Sequence, residues 1–233
     1  MPSDVPPKRT RTDDVHARLR ADILSGRLLP GQRLKFPDLA ARYEASVGVI
    51  REALIRLAER GLVRSEAHLG FQVAPLSEAG HAELGDARLQ IETLVLRRAI
   101  TDGDLAWESR LVAAHHRFER TPRTDPAAPD RPTPDWLLAH AAFHHTLLDG
   151  CANRRLLAMA NALREEAELY RRWSHPDPAA DPAPADPALP DEHRELLDAA
   201  LARDPDRATD ALSCLINLTA ELRLDTGVQA QNP

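Results

Sequence analysis

Eleven of the nineteen prolines crowd into two stretches, TPRTDPAAPDRPTPD (121–135) and SHPDPAADPAPADPALP (174–190). No helix runs through either, because each proline removes a backbone N–H and its ring clashes with the carbonyl one turn back. Both read as exposed, semi-rigid connections rather than domain boundaries, since the helices flanking them are too short to stand alone. Around them, from Ser77 onward, apolar residues recur at helical spacing. The pattern predicts helices near 78–100, 104–119, 135–149, 153–173, 191–203 and 205–224. The larger part of the chain is therefore expected to be an all-α bundle.

The first third has a different order. Residues 1–12 (MPSDVPPKRTRT) are basic and proline-rich, the composition of a mobile arm. Val15, Leu19, Ile23 and Leu24 then share a helical face that stops at Ser25-Gly26. Leu29-Pro30-Gly31 makes a turn, and a short helix follows Pro37. Ser46 sits where an N-cap belongs, and Val49, Ile50, Ala53, Leu54 and Leu57 form the apolar stripe of the next helix, which ends at Arg60-Gly61. Two short extended runs, 62–65 and 71–74, flank Glu66–Gly70 as a small hairpin. Helix, short helix, turn, Ser-capped helix and hairpin is the order of a winged helix-turn-helix. A helix entering the major groove offers first-turn side chains to base edges and free N–H groups to phosphates. Here that turn is Ser46, Val47 and Gly48, with Arg51 one turn on, able to fork onto a guanine or hold a phosphate. A tri-helical protein-interaction module has the same order and stays open on this reading.

Charge favours the DNA reading. Residues 1–75 carry 13 Lys and Arg against 9 Asp and Glu, whereas the whole chain has 30 against 36, so a basic third precedes an acidic remainder. Composition excludes other classes. No apolar run approaches the ~18 residues of a membrane span, and the N-terminus is not a signal peptide. Cys151 and Cys214 alone make neither a disulfide framework nor a Cys-rich zinc module, so a cytoplasmic setting is expected.

In the later helices, ionisable residues occupy positions where the pattern calls for apolar ones. Leu137, His140, His144, Leu147 and Leu148 share one stripe; His193 lies with Leu196, Leu197 and Ala200; Arg88 falls among Leu84, Ile91 and Val95, with Glu92 one turn away. Once buried, such groups need partners, a ligand or a metal. An i, i+4 histidine pair with a distant third histidine suits Zn²⁺ or a similar ion, yet in a chain with ten histidines ordinary interior imidazoles account for the same pattern. Arg88 and Glu92, at this spacing, are more often a helix-surface ion pair than an anion clamp. His115, His116, His145 and His175 read as exposed or without assignment, Trp136 and Trp173 as core or rim. A metal-dependent hydrolase built on His140, His144 and His193 is the rival from another class, weakened by the lack of a carboxylate spaced as in H-E-x-x-H.

The residues also carry a resemblance. V15-x3-L19-R20-x2-I23-L24-x-G26-x-L28-x-P30-G31-x2-L34, L39-A40, S46-x3-I50-R51-E52-A53-L54-x2-L57-x3-G61-L62-V63 and G70-x2-V73 resemble the GntR family of bacterial transcription regulators. The resemblance implies a winged helix-turn-helix at 13–75 in which Ser46, Arg51 and Gly70 fall at DNA-contacting positions; Val47 and Gly48 of the same helix turn, with Lys35 and His68, are expected to face the DNA beside them. The sequence departs from the family at Val47, where relatives usually carry Arg, and at Val49, where many have Pro. Farther on, R88-x3-E92, H140-x2-F143-H144-x2-L147, N153 and E192-H193 resemble the FCD-type ligand-binding domain of the FadR subfamily, spanning 77–224 and followed by a tail at 225–233.

That second resemblance implies one divalent metal, Zn or Ni, on His140, His144 and His193, and an effector, a small organic acid, bound by Arg88, His140, His144, His193 and Leu215. His144 and His193 match ligand positions of the family. His140 stands where relatives have Asp, and Leu215 where they have a last-helix His. Three neutral imidazoles would leave the full charge of the ion to draw an anion; alternatively, Leu215 marks a site that has abandoned metal for a more apolar ligand. The implied protein is a homodimeric repressor on a palindromic operator, with double-stranded DNA and a small acid as partners and no catalytic activity.

Overall fold

The computed structural model describes residues 10–66, 70–126, 128–175, 188–220 and 223–224. The chain forms two compact units, one of residues 1–77, 165–174 and 224–233, the other of 78–164 and 175–223.

In the first unit, α1 (Arg11–Leu24) opens with a capping box in which Thr10 and Asp13 satisfy each other's free backbone donors. The helix thus begins inside the segment expected to be a mobile arm, because Thr10-x-x-Asp13 is itself a start signal. The turn at 29–32 leads through β1 (Arg33–Leu34) to α2 (Phe36–Tyr43), α3 (Val47–Ala58), β2 (Val63–Glu66) and β3 (Gly70–Val73). The hairpin lies where expected, and β1 adds a third antiparallel strand that periodicity missed, pairing Arg33 with Gln72 and Leu34 with Phe71. Two residues are too few to show alternation. Val15, Leu19, Ile23, Ile50, Leu54 and Leu57 are fully buried, so the stripes of α1 and α3 form one core. Residues 165–174 belong to this unit; Glu165 is buried and paired with Arg20 and with Arg60, 2.7 Å away.

The second unit is built on α4 (Glu78–Asp102), α5 (Leu105–Arg120), α6 (Pro134–Leu148), the first part of α7 (Arg154–Trp173), α8 (Ala188–Leu201) and α9 (Pro205–Ala220). The helix expected over 205–224 stops at Ala220, and Arg223–Leu224 form β7, paired with β6 (Ser174–His175). The first proline-rich stretch is more than a connection: β4 (Thr124–Asp125) pairs antiparallel with β5 (Ala128–Pro132) through a bulge, where proline's missing donor is tolerated. Of the second stretch, residues 176–187 lie outside the described residues, as does the tail at 225–233.

Trp107 sits at the centre of this bundle, 1% exposed, its indole N–H donating to the Thr146 carbonyl at 2.8 Å. Gly103 and Gly150 let two chain reversals close over it: a Cβ at either would lie 2.6 Å from the Ala99 carbonyl oxygen and collide with the ring. Arg203, held in the left-handed region (φ 56), caps α8 and reaches the Ile100 carbonyl and the Glu108 carboxylate. These contacts fix the ends of α4, α5, α6 and α8, the helices that bear the ionisable residues singled out by the sequence.

Candidate functional site

In the first unit, Glu44 ends α2 in a left-handed conformation (φ 52, ψ 44). This sharp reversal brings the chain to Ser46, whose extended backbone (φ −68, ψ 155) and side-chain oxygen, accepting from the Val49 N–H at 3.4 Å, start α3. Ser46, Val47, Gly48 and Arg51 are all exposed, Val47 by 46%. An exposed valine on the leading turn of an otherwise amphipathic helix contributes nothing to the core. Arg51 is held with its guanidinium 4.6 Å over the Phe36 ring, which in turn packs edge-on against Phe71. Lys35 is exposed at the start of α2. Gly70 has φ 86 at the start of β3, a conformation that L-residues avoid. His68 lies outside the described residues.

In the second unit, His140, His144 and His193 are 3%, 3% and 2% exposed, and one ligand atom from each lies within 4.8 Å of the others. The two α6 histidines lie side by side, ring centroids 4.5 Å apart and tilted by 59°, because i and i+4 share a helix face, and α8 delivers the third. The Nε2 atoms of His144 and His193 are 3.1 Å apart. Zn–N bonds of ~2.05 Å put ligand nitrogens roughly 2.9 to 3.4 Å apart in octahedral or tetrahedral geometry, so this spacing fits two ligands of one ion. It also fits a hydrogen bond between two neutral rings. Trp136 stacks on His140 at 5.2 Å, and Phe118 packs against both His140 and His193. The aromatic wall fixes the rings and keeps water from them.

His115, which the sequence leaves exposed or without assignment, is 4% exposed and 5.2 Å from the Phe143 ring. Burial drives its pKa down. Periodicity could have found it, since Trp107, Leu111, His115 and Phe118 lie on one face of α5. His145 pairs with Asn161 at 2.8 Å, half-buried. Asn153, part of the family pattern, receives the Arg155 and Leu156 N–H groups and so caps α7.

Arg88 and Glu92 form no surface pair. Glu92 is fully buried, its two oxygens receiving Arg88 Nε and Arg164 Nη1, each at 2.6 Å. Burial pushes the Glu92 pKa up, and the charges of Arg164 and Arg88 more than reverse this, leaving it below the usual carboxylate range. Two guanidinium groups against one carboxylate leave the cluster with an excess positive charge. Sequence reasoning missed Arg164, seventy-two positions from its partner. Leu215 is 6% exposed and lies in the apolar core with Leu212 and Ile216.

A winged helix followed by a helical bundle with an enclosed imidazole cluster is the arrangement of a DNA-binding regulator. Residues 11–73 match the bacterial regulatory proteins of the gntR family, and residues 83–218 match the FCD domain. The chain belongs to the GntR family of bacterial transcription regulators and carries an FCD domain. It is 35% identical over 206 residues to the HTH-type transcriptional regulator BphR of Paraburkholderia xenovorans, covering 88% of this chain and 81% of the relative. It is 32% identical over 200 residues to the HTH-type transcriptional repressor GlaR of Escherichia coli, covering 85% and 89%. The fold is that of E. coli McbR/YncC, with a TM-score of 0.69 at 18% identity over 91% of this chain and 95% of that one. The protein is a regulator and not an enzyme, which removes the hydrolase reading.

Proposed function

We propose that this regulator is a repressor whose grip on a palindromic operator is loosened by a small organic acid held in its FCD domain. The carrying observation is the convergence of three buried imidazoles, His140, His144 and His193, in a bundle that also encloses an excess arginine charge. One divalent ion, Zn²⁺ or Ni²⁺, would be held by those three imidazoles and would supply a Lewis-acid position for a carboxylate oxygen. Arg88 would orient the acid by its guanidinium fork, and Leu215, replacing the family's last-helix histidine, would close the site with an apolar wall. Lys35, Ser46, Val47, Gly48, Arg51, His68 and Gly70 would form the DNA face. The repressor name of GlaR supports the direction of regulation.

A homodimer is proposed because two recognition helices must meet two half-sites, and the protein would act in the cytoplasm, where its DNA lies. An acid that binds one bundle geometry better than another lowers DNA affinity by the same coupling free energy. The test is a thermal-shift screen of small carboxylic acids with and without chelator, followed by operator release with each hit. The reading predicts at least one acid that raises the melting temperature only without chelator and releases DNA. A full panel with no shift in either condition contradicts it.

A further inference from the structure

The first unit contains a second charged site that the DNA face does not use. A hollow of about 440 Å³ is lined by Arg18, Ala21 and Asp22 of α1, by Arg27, and by Arg42 and Tyr43 of α2. Asp22 lies at its base, 7% exposed. One Asp22 oxygen accepts from Arg27 Nη1 at 2.8 Å; the other accepts from the Tyr43 hydroxyl at 2.6 Å and from Arg42 Nη2 at 2.9 Å. Burial, then the Asp22 carboxylate, pushes the Tyr43 pKa up, so the phenol stays a donor. The carboxylate is thereby close to saturated, while each guanidinium carries five donors and gives Asp22 only one.

Arg18 stands on the same wall with its guanidinium 5.1 Å from the Tyr43 ring centroid and a long contact, 3.5 Å, to the Tyr43 carbonyl. Asp14 lies 3.8 Å from Arg18 at the exposed rim, where solvent screens it. Three guanidinium groups against the buried Asp22 and the rim Asp14 leave one positive charge in excess. Asp22 acts as a tether: it holds two of the arginines at the mouth without neutralising the set.

We propose that this hollow binds a phosphate group. Arginine forks match tetrahedral oxyanions, and three guanidinium groups around one hollow suit the several oxygens of a phosphate. The phosphate belongs either to a small phosphorylated ligand or to the backbone of bound DNA, and two measurements separate these sources. The first is calorimetric titration of the full chain with inorganic phosphate, with chloride at matched ionic strength as the control. The second is the salt dependence of binding to a random-sequence duplex. Both are run on wild type, Arg18→Ala and Arg18→Gln, with melting curves to establish that the variants fold.

A small-ligand site predicts phosphate binding that chloride does not reproduce, weakened about tenfold in both variants by loss of a charge-assisted contact, with the salt slope unchanged. A backbone site predicts a salt slope smaller by ~0.9 in both variants. Phosphate binding that both variants leave unweakened, together with an unchanged slope, overturns the proposal. So does an effect in Arg18→Ala that is absent from Arg18→Gln, because the lost property would then be packing rather than charge. Phosphate can also reach the histidine cluster of the full chain, so only the part of the binding lost in the Arg18 variants is assigned to the hollow, and that difference is separate from the effector reading.

Discussion

Replacing Glu92 by Gln tests whether the buried arginines depend on one carboxylate. In the native protein its two oxygens each receive an arginine donor at 2.6 Å, with side-chain exposures of 7%, 0% and 3% for Arg88, Glu92 and Arg164. The amide retains one acceptor but turns its NH2 toward a guanidinium and leaves two buried cations without a counter-charge. Breaking a buried pair in this way costs about 3–5 kcal/mol. At roughly 2–4 °C per kcal/mol for a unit of this size, the melting temperature of the bundle should fall by about 10 °C at pH 7.

The pH dependence follows from the sign of the shift. The folded carboxyl lies below its ordinary value, so its contribution is complete above the unfolded pKa near ~4.3 and is lost as the pH falls through the folded value. The gap between wild type and Glu92→Gln should therefore stay constant from pH 8 to about pH 5 and close only in more acidic solution. Differential scanning calorimetry across that range measures it. A variant melting within about 2 °C of wild type at pH 7, or a gap that closes above pH 6, would refute the assignment of Glu92 as the ionised centre of the cluster.

Three other substitutions have defined outcomes. Gly103→Ala should destabilise the bundle by more than about 2 kcal/mol in denaturant unfolding, because its Cβ meets the Trp107 ring and the Ala99 carbonyl, neither of which can move. Ser46→Ala should cost only about 0.5–1 kcal/mol of stability in the winged helix, at the low end for a cap, since the Val49 N–H···Oγ contact is long. Arg51→Ala should weaken operator binding by about 1–3 kcal/mol at fixed salt while leaving the melting curve near that of wild type, because the exposed side chain rests on Phe36 rather than in the core.

The helices and the hairpin were legible because their signals are local: the stripe Val15, Leu19, Ile23, the cap at Ser46, the stops at Gly26 and Gly61. The inward orientation of His140, His144, His193 and Arg88 was legible for the same reason, as each interrupts an apolar stripe. What local pattern could not supply was pairing at a distance. Strand β1 exists only because β3 accepts it, and the strands at 124–132 form within a proline-rich run that composition marks as irregular. Whether Arg88 and Glu92 lie at the surface depends on Arg164, and Asp22 becomes a tether only when α2 brings Arg42 and Tyr43 to it. The burial of His115 was available in the spacing of α5 and was obscured by the adjacent His116, which broke the apparent polarity of that turn.

The account turns on what the enclosed imidazoles of α6 and α8 hold. Elemental analysis of tag-free protein, purified without chelator, measures this directly. The account predicts about one zinc or nickel ion per chain, retained through gel filtration and lost in His144→Ala and His193→Ala, as expected for a three-imidazole site. Metal-free wild-type protein whose melting temperature does not rise on adding either ion would contradict it.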